Sequence, residues 1–144
     1  MAGSPTVPPR PMRAGPNADG RVSERTDAIY DERIATMREE RMITEIVTFR
    51  LPEGASREEV FRNFEQTAPT WQQNPDLIRK NYLYDAENGV AGGVYLWRTR
   101  AHAEKWHGPA FREKVRVRYG AEPESQFFET PVVVDNLAGE IVHD

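Results

Sequence analysis

The chain contains no cysteine. That excludes disulfides, zinc–thiolate sites, iron–sulfur clusters and cysteine nucleophiles, and it fits a reducing compartment. No apolar run has the length needed to span a bilayer, so no membrane partner is expected. The N-terminus is rich in proline and lacks the apolar centre of a secretory signal, so the expected location is cytoplasmic. Excess positive charge is also missing. The formal net charge is −4, with Lys and Arg spread along the chain, so there is no basic stripe for a phosphate backbone and nucleic acid is not an expected partner.

Cofactor signatures are equally scarce. Gly92-Gly93 is followed by no third glycine and no helix start, so it is not a dinucleotide fingerprint. His102 and His107 are five positions apart across a helix break, which does not put two ligands on one helix face. Both histidines are expected at the solvent surface. No nucleophile elbow and no phosphate-binding loop occurs. The expectation is therefore a protein with no metal and no cofactor.

What is present is enough for one domain. Of 144 residues, the first forty look peripheral and about a hundred remain, sufficient for one modest core. Residues 1–22 carry five prolines and several glycines and read as a flexible arm, with either no role or a docking role. Residues 23–41 read as a charged helix with a sparse apolar stripe of Ile29, Tyr30, Ile34 and Met37. Residues 42–144 hold the domain.

Its first strand is expected over 42–50, stopping at Pro52 and Gly54. Ser56 and Glu59 form a capping box that starts a helix with Val60, Phe64, Ala68 and Trp71 on one side. Pro69 is expected to kink or restart it. Two strand-like runs follow, 77–86 and 90–98, joined at Asn88-Gly89, the pair preferred by a two-residue type I′ turn. That turn would set Tyr82 opposite Tyr95, Lys80 opposite Trp97 and Tyr84 opposite Gly93 on an aromatic face. Leu83 would meet Val94, and Asn81 would meet Leu96, on an aliphatic one. Thr99 caps a short helix, Gly108-Pro109 interrupts it, and Gly120 ends its continuation. A last strand is expected over 126–135, with Pro131 marking an edge or a bulge.

Strand–helix–strand–strand–helix–strand is the split βαβ order of a ferredoxin-like α+β fold with a four-stranded antiparallel sheet. Its helices cover one face only. With the aliphatic face under the helices, the aromatic face needs cover, and a second copy of the same sheet supplies it as a homodimer.

The run Ala91-Gly92-Gly93-Val94-Tyr95-Leu96-Trp97, with the short helix starting near Ala101, resembles small bacterial monooxygenase-like proteins of the dimeric α+β barrel superfamily, alongside the antibiotic-biosynthesis monooxygenases. Asn74-Pro75-Asp76-Leu77 and Lys80, ahead of the hairpin, resemble them too. The likeness spans about residues 42–135. It implies a cofactor-independent monooxygenase acting on a small aromatic or polycyclic molecule, whose own deprotonated form donates an electron to oxygen.

Candidate residues follow. Asn81 and Tyr82 are the candidate catalytic pair, and Trp71, Tyr95, Trp97 and Trp106 the candidate substrate-binding aromatics. The site is expected between sheet and helices, near Asn81 and Trp71. For Asn81 a substrate contact and a backbone contact stand equally open; each aromatic taken singly reads as core or dimer interface, while some of them together are expected to border a pocket. Gly92-Gly93 reads as a bulge, or as space for Tyr84, ahead of ligand room. Glu45 and Glu129 lie on strands that neighbour each other in this fold. They could share a face for acid–base work or, the commoner case, pair with Arg or Lys. The competing function is a non-catalytic dimeric module that binds a small ligand or partner through the N-terminal arm.

Overall fold

The computed structural model of the chain describes Gly3 and residues 40–144. The arm expected over 1–22 and the helix expected over 23–41 lie outside the described residues, apart from Glu40 and Arg41, which form a turn and a bend.

The domain runs β1 (Ile43–Arg50), α1 (Arg57–Gln72), β2 (Leu77–Asp85), β3 (Val90–Trp97), α2 (Arg100–Trp106), α3 (Pro109–Tyr119) and β4 (Glu124–Glu129). The sheet order is β2-β3-β1-β4, antiparallel throughout, which is the expected ferredoxin-like α+β fold. None of the described helices is long and apolar enough to cross a membrane.

Local chemistry accounts for the helix ends. Ser56 Oγ accepts from the Glu59 amide at 3.2 Å, and Thr99 Oγ1 accepts from the His102 amide at 3.2 Å, each satisfying an orphan donor of a first turn. Pro109 occupies the start of α3, and Gly120 closes it at φ 78°. Helix α1 runs through Pro69 without the expected restart. Proline removes one N–H, but the Pro69 carbonyl still accepts from the Gln73 amide, so the last turn stays closed.

The β2–β3 turn differs from expectation. Asp85 pairs with Val90, leaving a four-residue loop of Ala86–Gly89, and only Gly89 has positive φ, at 62°. Asp85 accepts from the Asn88 backbone amide at 3.1 Å and from its side-chain amide at 2.8 Å, which holds Asn88 outside the left-handed region. The register therefore moves by two residues. Lys80 faces Tyr95, Tyr82 faces Gly93, Tyr84 faces Ala91 and Asn81 faces Val94. A two-residue slip keeps every side chain on its face, because strand side chains alternate with period two.

Which face the helices cover is the reverse of expectation. Phe64 of α1 stacks on Tyr82 at 4.6 Å, Phe61 meets Tyr84 edge-on at 5.3 Å, and Trp71 meets Tyr95 edge-on at 5.2 Å. The aromatic face is thus the helix-covered core, and the face holding Asn81, Leu83 and Val94 is the open one. Hydrophobicity could not decide this, since both faces are apolar. With the aromatic face covered, the expected dimer contact through it falls.

Strand β1 is central and alternates fully, with Ile43, Glu45, Val47 and Phe49 all buried on the helix side. Gly92 makes close β1–β3 packing possible, because a Cβ there would stand 1.9 Å from the Val47 carbonyl oxygen. Neither glycine forms a bulge or makes room for Tyr84. The irregularity lies at Leu77/Arg79 instead.

The expected last strand is split at Pro131. Beyond it β5 (Val132–Asp135) and β6 (Glu140–His143) form a separate hairpin. Proline cannot donate to the ladder, and the chain leaves the sheet there. The hairpin is tied to β1 by the Met42 amide donating to Asp144 Oδ1 at 2.9 Å, and to β2 by Arg79 and Asp135 at 3.7 Å.

Candidate active site

The helix-covered face carries one fully buried carboxylate. Glu45 is 0% exposed and its alternation position on β1 points it at the helices. His107 follows α2 where Gly108-Pro109 breaks the helical run, and its side chain is 2% exposed. Glu45 Oε1 accepts from Trp97 Nε1 at 3.0 Å and lies 2.5 Å from His107 Nδ1. With Glu45 as a carboxylate, its oxygen can only accept, so Nδ1 carries the imidazole proton and donates it. Nε2 then presents a lone pair. Among the described residues neither His107 Nε2 nor Glu45 Oε2 has a partner. Buried polar atoms without partners are uncommon, and each calls for an account such as an ordered water or a chemical role.

Aromatic rings wall this pair. Tyr95 stands edge-on to the His107 ring at 4.3 Å, Phe111 of α3 stacks on it at 4.0 Å, and Trp71 and Trp97 lie at 5.5 and 5.2 Å. Trp71 and Tyr95 continue the wall to Lys80. Its amine lies 4.6 Å from the Trp71 ring centre, 3.8 Å from Tyr82 and 4.6 Å from Tyr95. Burial pulls the Lys80 amine down to a pKa of about 7. Burial likewise pushes the Tyr95 hydroxyl well above its ordinary range and raises Tyr82, which also shares a 2.7 Å hydrogen bond with Thr67 Oγ1.

Of the residues singled out from sequence, Trp71, Tyr82, Tyr95 and Trp97 come together in this box. Asn81 does not. It is exposed on the open face, so a site joining Asn81 to Trp71 does not exist. Trp106 also lies apart. It is 39% exposed and donates to Asp76 Oδ2 at 2.9 Å, a contact that pulls the Asp76 carboxyl down, with His102 and Lys105 adding to it. His102 sits in this surface cluster, 3.4 Å from Asp76, only partly exposed. His107, expected at the surface, is buried, because a carboxylate 62 positions away satisfies it. Glu129 shares the β1 side with Glu45 but is exposed and faces Arg41 at 3.7 Å, so no carboxylate pair forms. Among the described residues no three His, Asp or Glu side chains converge as metal ligands.

A carboxylate that fixes an imidazole by Nδ1 while Nε2 stands free is the arrangement of a general base. Here the pair sits inside a wall of aromatic rings, with the Lys80 amine at the far end.

Solved structures share parts of this architecture. A possible oxidoreductase of unknown function from Bacteroides thetaiotaomicron aligns at TM-score 0.49 and 17% identity, covering 63% of this chain and 99% of its own. SnoaB, a cofactor-independent oxygenase from Streptomyces nogalater, aligns at 0.47 and 16%, covering 62% and 93%. An antibiotic-biosynthesis monooxygenase homologue from Caulobacter crescentus aligns at 0.47 and 13%, covering 68% and 97%. No curated protein matches in sequence. One family model matches residues 46–122, a span that begins one residue after Glu45 and contains Trp71, Lys80, Tyr95, Trp97 and His107. That span is just over half of the chain, and the chain belongs to the family described as "Putative mono-oxygenase ydhR".

Proposed function

We propose that the protein is a cofactor-independent monooxygenase for a small aromatic or polycyclic hydroxyl compound, with Glu45, His107 and the surrounding rings as its active site. The observation that carries this reading is the buried Glu45–His107 pair with an unpartnered Nε2 inside an aromatic box. Family membership supports the oxygen chemistry.

In this reading His107 Nε2 takes the hydroxyl proton. The resulting anion passes one electron to O2, and the aryloxyl radical and superoxide combine to a peroxide anion at ring carbon, which the His107 cation protonates to the hydroperoxide. Loss of the proton on that carbon and cleavage of the O–O bond release water and leave a quinone, so that ArH(OH) and O2 give quinone and H2O. Glu45 holds the imidazole in the right tautomer and stabilises its cation. The rings exclude water and bind the flat substrate. Tyr82, Trp71, Tyr95 and Trp97 act here as walls. Asn81 and Trp106 have no part in it.

The test is oxygen uptake with a panel of hydroxylated naphthalenes and anthrones. His107→Asn keeps a donor for Glu45 and removes Nε2, so it abolishes uptake while the fold survives. Full uptake by His107→Asn, or no uptake by the parent protein on any member, overturns the reading.

We also read the open sheet face with β5–β6 as the homodimer contact. Leu137, Val134 and Ile141 of that hairpin are 91%, 64% and 61% exposed, apolar side chains that a partner surface would cover.

A further inference from the structure

The box has two ends, and the reaction above uses only one. At the other end Lys80 points inward from β2 onto the helix-covered face, between Trp71 of α1, Tyr82 of β2 and Tyr95 of β3. Among the described residues it has no carboxylate within ion-pair distance and no hydrogen-bond acceptor, unlike Arg79, Arg100, Lys105 and Arg116. The fold makes room for it. A Cβ on Gly93 would stand 3.1 Å from Lys80 Cε and 3.0 Å from Tyr95 Cε2, so the glycine diagonally across the strand pair leaves room for the lysine stem to lie along the sheet. Trp71, Lys80 and Tyr82 are each partly exposed, so this end of the box reaches the surface.

An inward lysine held only by ring faces is poorly compensated, because three ring quadrupoles replace neither water nor a carboxylate. An anion arriving between the rings would complete it.

We propose that Lys80 is the anion-holding residue of this site, and that the substrate carries, besides the hydroxyl that His107 deprotonates, an anionic oxygen that sits on the Lys80 ammonium, with its flat ring against the corner that Trp71 and Tyr95 form. The proposal rests on the reading of the box as a substrate site and adds the charge of what fills it. The amine's pKa of about 7 agrees with this, since near neutrality a bound anion draws a proton onto Lys80 and so favours itself. Trp71 and Tyr95 also wall His107, so the cation and the base border the same two rings.

The experiment is calorimetric titration of the full chain with 2-naphthoate, 2-naphthol and neutral 2-naphthamide near pH 7.5. The carboxylate and the phenol stand for the two sources of an oxyanion, and the amide is the uncharged control. The expected result is naphthoate binding at least tenfold tighter than naphthamide, or naphthol binding with the absorbance of naphtholate. Lys80→Met should lose whichever preference is seen, with an unchanged circular dichroism spectrum. Lys80→Gln replaces it if methionine disturbs the fold. Equal affinity for acid and amide with naphthol bound un-ionised, a preference that survives loss of Lys80, or no binding of any of the three overturns the proposal. Oxygen uptake is read separately. Anion preference without turnover removes the oxygenase reading alone, and turnover unaffected by Lys80→Met removes the Lys80 assignment alone.

Discussion

His107 Nδ1 lies 2.5 Å from Glu45 Oε1, joining the loop after α2 to the central strand across 62 positions of sequence, and Trp97 Nε1 shares the same oxygen at 3.0 Å. A carboxylate with no exposure is tolerated only because these donors meet it.

Removing the donors should therefore cost stability as well as chemistry. Glu45→Ala leaves the imidazole and the indole unpaired, and the expected loss is about 3–5 kcal/mol. Trp97→Phe removes one donor and keeps most of the ring, with an expected loss of about 1–3 kcal/mol. Urea unfolding followed by circular dichroism measures both.

Lys80 sets a pH dependence whose sign is the reverse of a salt-bridged lysine. Its amine falls from the ordinary 10.5 to about 7 in the fold. Between those values the unfolded chain binds the extra proton, so the destabilising contribution of Lys80 is full below pH 7 and fades as pH rises toward 10. Tyr82 and Tyr95 are raised by burial, so they act oppositely, with stability falling as pH rises past the ordinary tyrosine value of 10. Urea midpoints at pH 7, 8 and 9 should climb more steeply in the parent than in Lys80→Met. Parallel profiles would show that the amine is not desolvated.

Gly92→Ala places a methyl against the Val47 carbonyl, a contact that only backbone movement between β1 and β3 can relieve. The expected destabilisation is at least about 1–3 kcal/mol, the usual cost of overpacking. Gly93→Ala meets side chains instead, so it should cost less stability while displacing Lys80 and weakening naphthoate binding.

Gly89→Val forces a β-branched residue to φ 62°, costing about 1–2 kcal/mol. Asn88 is outside the left-handed region, so Asn88→Ala should lose only its exposed side-chain bond to Asp85, about 0.5–1.5 kcal/mol.

Sedimentation at micromolar concentration should show a dimer. Leu137→Glu combined with Ile141→Asp on the hairpin should shift it to monomer without altering the far-ultraviolet circular dichroism. A parent that sediments as monomer removes the dimer reading.

Element order, helix ends and the two sheet faces were legible in the sequence, because capping oxygens, prolines and period-two alternation act within a few residues. The second hairpin was legible too, though missed. Asp85 with Gly89 and Asp135 with Gly139 follow one pattern, an acceptor before a four-residue loop that ends in a positive-φ glycine. In the second, Asp135 accepts from the Leu137 and Ala138 amides. Pro131 had signalled the end of the sheet but not the return of the chain.

The site depended on distance in sequence. Tyr95 and Trp97 could be placed on one face from alternation alone, but alternation does not say which face a crossover helix will cover. The local sign that His107 is buried is its place between Ala103 and Phe111 at i−4 and i+4, which Gly108-Pro109 obscures, while its nearer neighbours Lys105, Trp106 and Pro109 are exposed. Its burial is paid by Glu45 on another strand. Sequence by itself determined the elements and their faces, since those rest on backbone propensity and side-chain period. Tertiary structure decided which face became the core and which ionisable groups entered it, because burying charge requires partners that only the fold brings within hydrogen-bond reach.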